Sequence, residues 1–383
     1  MSPRPSILVV THPLNEAGEN ATRTLLHIIN EISTTHLLTA NLPQGSSIRS
    51  EQEFTELSDQ DFDGAVFFQA LRFIHHQLQM ARLVVSRHEE IVLFFGATTY
   101  LLPTVAAKLS GKTVIVEPRG DVPRTLEIQW ASRMPSILVR VLSTSLRFLE
   151  TVNYHLADAI ITYTPRMASE LGLDRFGPKL FTNGARFVDI ERFDVELPFT
   201  ERENRLGFVG RLDREKGIKD LARAIPHLPD EYTFSFVGDG ELRAWIEQTL
   251  ASDIAEGQVE VCGWVAHDDI PARLNRFRLL VLPLSDTEGL PTIVLEALAC
   301  GTPVLVSPVS GVPDVIQESV TGFFIEDPRP EALSESIVSV MDREDLATIG
   351  TNGRQLIESE YSHEAAVDRY DAILSEIGRR KEK

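Results

Sequence analysis

Two glutamates separated by seven residues, Glu288 and Glu296, bracket a helix start in the stretch Ser285-Asp286-Thr287-Glu288-Gly289-Leu290-Pro291-Thr292. An apolar strand, Leu279–Pro283, stands before them. Pro291 and Thr292 open a helix that Gly301 closes, with proline and glycine where helix termini favour them. A second strand, Pro303–Val306, follows at once. In such a strand–loop–helix–strand unit the loop lies at the carboxyl end of the sheet, where the free N–H groups of the helix start form an anion site suited to a phosphate. Helical side chains lean toward the helix N-terminus, so Glu296 reaches back toward the loop that holds Glu288. Carboxylates beside an anion site call for hydroxyl groups, and a sugar nucleotide has both.

A second group with chemical potential is Val209-Gly210-Arg211-Leu212-Asp213-Arg214-Glu215-Lys216-Gly217, a strand end followed by charged residues ahead of a helix near Ile218. The guanidinium of Arg211 and the ammonium of Lys216 can clamp a diphosphate and stabilise it as it leaves. Gly238-Asp239-Gly240 is another glycine turn at a strand end. It is not a dinucleotide fingerprint, because the third glycine would fall at Arg243, and no Walker-type loop occurs. Asp59-Gln60-Asp61-Phe62-Asp63-Gly64 imitates the start of a calcium loop, but its twelfth position is Ala70 instead of glutamate. That segment reads as a solvated acidic turn before a strand, and no metal site is expected.

These residues need sheets to position them, and the chain carries the pattern of two doubly wound parallel sheets. Strands are expected at Ser6–Thr11, His36–Asn41, Ala65–Gln69, Ile91–Phe95, Thr113–Glu117 and Ala159–Thr164. After a charged, proline-containing stretch the pattern restarts at Leu206–Gly210, Phe234–Gly238, Val259–Gly263, Leu279–Pro283 and Val304–Val306. Helices fall between them at Ile218–His227, Glu241–Ala251 and Asp268–Phe277. The reading is an α/β protein with an N-terminal acceptor-side domain over 1–190, a linker over 191–204 and a C-terminal nucleotide-sugar-binding domain over 205–360. A last helix, 361–383, crosses back to the first domain. Two such Rossmann-like domains are expected to face one another across a cleft.

The 383 residues suit two domains with real cores, and 43% hydrophobic content with regular alternation suits a soluble α/β chain. The formal charge of −19 is uneven: the first 193 residues carry 18 basic against 20 acidic side chains, so nearly all the excess acid lies beyond them. A basic footprint for nucleic acid is missing. No apolar run approaches the roughly 20 residues that span a bilayer, and Met1–Val10 is too short and uncharged for a signal peptide, so a cytoplasmic protein is expected. Cys262 and Cys300, each inside an apolar element, read as buried free thiols. Met134–Leu156 is a long amphipathic helical pattern on which Arg133, Arg140 and Arg147 recur every seven residues, an arrangement that suggests peripheral contact with anionic headgroups at the inner membrane face.

Taken together, Gly210-Arg211 with Lys216, Gly238-Asp239-Gly240, the paired Glu288 and Glu296, and Ser310-Gly311-Val312-Pro313-Asp314 resemble the retaining GT-B glycosyltransferases of family 4. The resemblance is closest from Leu206 to about Val340. It implies that Arg211 and Lys216 bind the donor pyrophosphate, Glu288 contacts the donor sugar and Glu296 holds the ribose. It places backbone N–H groups of Gly289, Leu290 and Thr292, beside Pro291, against phosphate or sugar oxygens, and the Cys262-Gly263-Trp264-Val265 loop beside the base. Gly18 would lie near the diphosphate from the first domain. The donor is a nucleoside diphosphate sugar, no metal or other cofactor is required, and a glycan or lipid-linked precursor is the expected acceptor, as in polysaccharide biosynthesis.

Two departures stand out. Ala17-Gly18 occupies the place of paired glycines, and Glu117-Pro118-Arg119-Gly120-Asp121 replaces a loop that often carries histidine. His12, Asn15, Arg119 and Asp121 are therefore the acceptor-side candidates. Three alternatives remain at this level: an inverting transferase with His12 as base oriented by Asp121, a sugar-nucleotide epimerase, and a catalytically silent donor-binding subunit.

Overall fold

The computed structural model describes residues 4–14, 16–57, 66–131, 134–284, 290–309 and 311–381. Asn15, the aspartate-rich turn 59–64, Arg133, Glu288, Gly289 and Ser310 lie outside them. The chain divides into two compact units, one built from 1–186 with 366–383 and the other from 187–365.

The first unit alternates strands with helices: β1 (Ser6–Thr11), α1 (Glu16–Ile32), β2 (Thr34–Thr39), α2 (Ile48–Glu51), β3 (Phe54–Glu56), α3 (Val66–Ser86), β4 (Ile91–Phe95) and α4 (Leu101–Leu109). It continues through β5 (Thr113–Glu117), α5 (Val122–Ala131), α6 (Ser136–Leu156), β6 (Ala159–Thr162), α7 (Pro165–Glu170) and β7 (Leu180–Thr182). Among the described residues these strands form one parallel sheet in the order β3-β2-β1-β4-β5-β6-β7. Because helices cover both faces, the central strands are mostly apolar: β4 and β5 are buried almost end to end.

The second unit comprises β8 (Arg205–Val209), α8 (Ile218–Ala224), β9 (Thr233–Val237), α9 (Arg243–Thr249), α10 (Ala251–Ala255), β10 (Val259–Gly263), α11 (Ile270–Leu274) and β11 (Leu279–Leu282). α12 (Thr292–Ala299), β12 (Val304–Val306), β13 (Phe323–Phe324), α13 (Pro330–Met341) and α14 (Leu346–Glu360) follow. Its parallel sheet runs β10-β9-β8-β11-β12-β13. α15 (His363–Lys381) ends the described chain, with the portion from Ala366 belonging to the first unit.

The doubly wound α/β architecture is therefore present twice. One expected element is corrected. Ala65–Gln69 is not a strand, since a helix begins at Val66. The apolar run Val66-Phe67-Phe68 imitates a strand, but it continues into buried Gln77, Met80 and Val84 at helical spacing, and packing follows that longer period. Three short strands, β3, β7 and β13, had no clear sequence signal. All three lie at sheet edges, β3 and β7 with mixed polarity, and β13 has two residues.

Residues 187–204 are irregular yet packed into the second unit. Phe193 is buried, and Arg202, 4% exposed, donates to the carbonyls of Phe277 and Cys300 and to Thr302 Oγ1. Burial pulls the Arg202 pKa down to about 10. Both cysteines are free thiols, Cys300 buried and Cys262 half-buried. No described helix is long and apolar enough to cross a membrane.

Candidate functional site

At the carboxyl edge of the second sheet, three neighbouring strands end in glycine. Gly210 N–H donates to Val237 O at 3.0 Å, Gly238 N–H to Gly263 O at 2.9 Å and Leu212 N–H to Asp239 O at 2.9 Å, so the chains stay knitted beyond the regular ladder. Gly238 has φ +140°, and a Cβ there would lie 1.9 Å from Gly210 O. Gly217, at φ +64°, is pressed as closely on Pro283, its Cβ position being 2.0 Å from the carbonyl oxygen. Backbones this close leave a shelf without side chains, where a ligand can approach the main chain. Gly240 follows on the same shelf.

Charged and aromatic groups border it. Arg211 is exposed and pairs with Asp213 at 3.1 Å. Lys216 is half-buried in the turn Arg214–Lys216 directly ahead of α8. Trp264, 76% exposed, stands just past β10.

On the same edge, α12 follows β11. Leu290 and Pro291 are buried at its start and Thr292 is exposed. Gly301, in the left-handed region at φ +65°, ends it with N–H bonds to Leu298 O, while Thr302 N–H reaches Ala297 O. The guanidiniums of Arg202 and Arg354 meet the carbonyls of Cys300 and Ala299 at 2.8 and 2.7 Å, opposing the negative end of the helix dipole. Glu296, 8% exposed, has a partner that sequence reasoning missed: His267 Nε2 lies 3.0 Å from its Oε1. The imidazole also packs on Phe193, centroids 5.5 Å apart, and neighbouring Asp268 pairs with Arg192 at 2.6 Å. No local pattern joins His267 to Glu296; the approach of the segment after β10 to α12 creates the pair.

The first unit's carboxyl edge is more deeply buried. His12, after β1, is half-buried, its ring edge-on to Tyr100 at 4.9 Å. Burial holds its pKa down to about 4, a hydrogen bond with the Gly96 backbone pulling the other way and Arg119 adding to the depression, so the ring is neutral. Its Nε2 has no hydrogen-bond partner among the described residues. Arg119, after β5, lies over the Phe95 ring at 5.5 Å and against Gly96. Asp121 accepts from Arg124 N–H at 2.9 Å, as a helix cap for α5, and pairs with Arg147 at 3.3 Å. His12 and Arg119 thus come together, whereas Asp121 is engaged elsewhere, and no described carboxylate orients His12. Gly18 lies in the first turn of α1, its carbonyl accepting from Thr22 Oγ1.

Glu117, the last residue of β5, is another group the sequence reading gave no role. It is wholly buried, accepting from Tyr370 OH on α15 at 2.5 Å and from Ala185 N–H at 3.3 Å. Burial pushes its carboxyl up to about 7 against the pull of those hydrogen bonds and of Arg186 and Arg119. A glutamate closing the apolar run Thr113–Glu117 was the available signal.

Residues 189–356 match the family model of Glycosyl transferases group 1. Alpha-D-kanosaminyltransferase of Streptomyces kanamyceticus is 25% identical over 299 residues, 74% of this chain and 75% of that protein. The GDP-mannose-dependent monoacylated alpha-(1-6)-phosphatidylinositol monomannoside mannosyltransferase of Corynebacterium glutamicum is 27% identical, covering 77% of this chain and 78% of its own length. Among solved structures, Anabaena Alr3699/HepE in complex with UDP superposes with a TM-score of 0.75 at 15% identity, over 97% of this chain and 100% of that one. The two parallel sheets, the glycine shelf with its flanking cations and these likenesses converge: the protein is a glycosyltransferase of the GT-B fold, with its match to Glycosyl transferases group 1 lying in the second unit.

Proposed function

We propose that the protein is a retaining, metal-independent transferase that moves a hexosyl group from a nucleoside diphosphate sugar to an acceptor held at an anionic lipid surface. The observation that carries the donor half is the carboxyl edge of the second sheet. There the glycine shelf of Gly210, Gly238 and Gly263 shares the sheet edge with Arg211, Lys216, Trp264 and Glu296. In this reading Arg211 and Lys216 hold the pyrophosphate, Glu296 the ribose and Trp264 the base. Glu288 takes the sugar hydroxyls, and the amides of Gly289, Leu290 and Thr292 after β11 take the remaining oxygens. The acceptor hydroxyl attacks the anomeric carbon from the face the diphosphate leaves. The bond to the leaving oxygen breaks as the new glycosidic bond forms, and the hydroxyl proton passes to a departing phosphate oxygen. No protein nucleophile is needed, and the two cations stabilise the developing negative charge. A solved neighbour with UDP supports a nucleotide donor.

A separate observation favours the lipid surface. α3 and α4 contain no acidic residue, and α6 only the buried Glu150, in a chain of net charge −19. These helices expose Ile74, Leu78 and Val85, then Leu102 and Leu109, then Ile137, Leu138, Val141 and Phe148. Ile74–Leu78–Val85 and Ile137–Val141–Phe148 repeat the same helical spacing, one stripe each, and α4 packs against both α3 and α6. Arg82 and Arg140 are exposed among them. Apolar stripes with basic and no acidic flanks suit an anionic bilayer surface. The acylated acceptor in the Corynebacterium relative's name accords with that.

Thermal shift with UDP, GDP, ADP and dTDP and their sugar conjugates tests the donor half, and the anomeric configuration of the product tests retention. Flotation with vesicles with and without anionic lipid tests the surface. Stabilisation by no nucleotide, an inverted product, or absence of salt-sensitive flotation would each remove the corresponding part.

A further inference from the structure

A cavity of about 220 Å³ lies wholly within the first unit, lined chiefly by Asp121, Arg147, Glu150, Thr151, Tyr154 and Arg175. Drug-sized ligands need roughly 300 Å³ or more, so this space matches a single sugar ring better than a nucleotide. Its wall is polar and held in place. Glu150, buried on α6, accepts from Thr98 Oγ1 at 2.5 Å, and Asn153 Nδ2 fixes the Thr98 carbonyl at 2.6 Å. Asp121 and Arg147 pair at 3.3 Å and neutralise one another. Arg175 lies over the Phe176 ring at 4.9 Å and has no carboxylate partner among the described residues. Burial, with the Asp121 charge adding, pushes the Glu150 carboxyl up to about 7, while the Thr98 hydroxyl and Arg147 oppose it. Arg175 is therefore the cavity's cation without a carboxylate partner among the described residues.

We propose that this cavity binds a monosaccharide carrying one anionic group, phosphate or carboxylate: Arg175 meets the anion, and Asp121, Glu150 and Thr151 meet ring hydroxyls. Carboxyl groups accept hydroxyl hydrogens in pairs, and a guanidinium presents a planar fork that matches either anion. The site goes beyond the donor reading, since every residue in it belongs to the first unit.

Isothermal titration of the full chain with glucose, galactose and mannose 6-phosphates, glucuronate, the neutral hexoses and inorganic phosphate tests this. At least one sugar phosphate or uronate is expected to bind one to one, at least about tenfold tighter than its neutral hexose or phosphate alone. Arg175→Ala, which lies on the cavity's exposed side, should erase that preference with an unchanged melting temperature. Glu150→Gln, which preserves the neutral hydrogen-bonding shape, should retain anion preference. Binding by none of the probes, binding of phosphate as tight as that of the sugar phosphates, or an undiminished preference in Arg175→Ala would overturn the proposal. UDP titrated into the same samples separates this site from the donor site: loss of sugar-phosphate binding with UDP binding intact sinks only this proposal, and the converse sinks only the donor reading.

Discussion

His267 Nε2 and Glu296 Oε1, 3.0 Å apart, join the segment after β10 to the helix after β11. The pair fixes the orientation of Glu296 on that helix. Glu296→Ala should abolish nucleotide stabilisation, which at a hundred times the dissociation constant is worth about 2.7 kcal/mol. His267→Ala should weaken nucleotide binding about tenfold, the scale of one hydrogen bond to a charged group. Titration of the preferred nucleotide into both variants reads this out, and wild-type affinity in Glu296→Ala would remove the ribose role.

Arg211 and Lys216 differ in setting, the first exposed and paired with Asp213, the second half-buried against the start of α8. If both stabilise the leaving diphosphate, Lys216→Ala should lower turnover by about 10² or more. Its effect on kcat should exceed its effect on KM, because the charge develops in the transition state. Steady-state kinetics decides it. Equal loss in kcat/KM through KM alone would make Lys216 a ground-state binding group.

Glu117 is expected to make stability pH-dependent. Its folded pKa, about 7, lies above the ordinary 4.5, so the folded state keeps a proton that the unfolded chain releases. The contribution is fully present below about 4.5, falls as pH rises toward about 7, and is constant above. At about 1.4 kcal/mol per pH unit the loss is on the order of 3 kcal/mol. Glu117→Gln mimics the protonated form, so the melting temperature of the variant minus that of wild type should rise from pH 5 to pH 8. A flat difference would show that the carboxyl does not titrate with folding.

The exposed stripes give a graded prediction. Replacing Val141 and Phe148 by serine removes two apolar side chains from the exposed stripe, each worth up to about 1.5–3 kcal/mol if fully inserted in lipid. Flotation with anionic vesicles should fall at least about tenfold in the double variant, and Arg140→Glu should reduce it mainly at low salt. Unaltered flotation in both would move any lipid contact away from α6.

The doubly wound fold was legible because its signals are local. Leu279–Leu282 and Val114–Val116 are continuous apolar runs, as strands covered on both faces must be, and helix α12 carries its own stop at Gly301. Where two local periods overlapped, at Val66-Phe67-Phe68, only packing chose the helix. Side-chain partnerships were a different matter. Glu296 meets His267 across 29 residues, Glu150 meets Thr98 across 52, and Glu117 meets Tyr370 across 253. Each depends on which elements the topology brings side by side, and no propensity or spacing within either segment encodes its partner. The same is true of Arg147, which a seven-residue repeat places on a surface stripe while tertiary packing turns it toward Asp121. Sequence by itself determined which residue types stand at strand ends and helix starts, because backbone geometry is local. Tertiary structure alone decided which of them are buried, which are paired and which cavity they line, because desolvation and Coulomb energy depend on every neighbour in space.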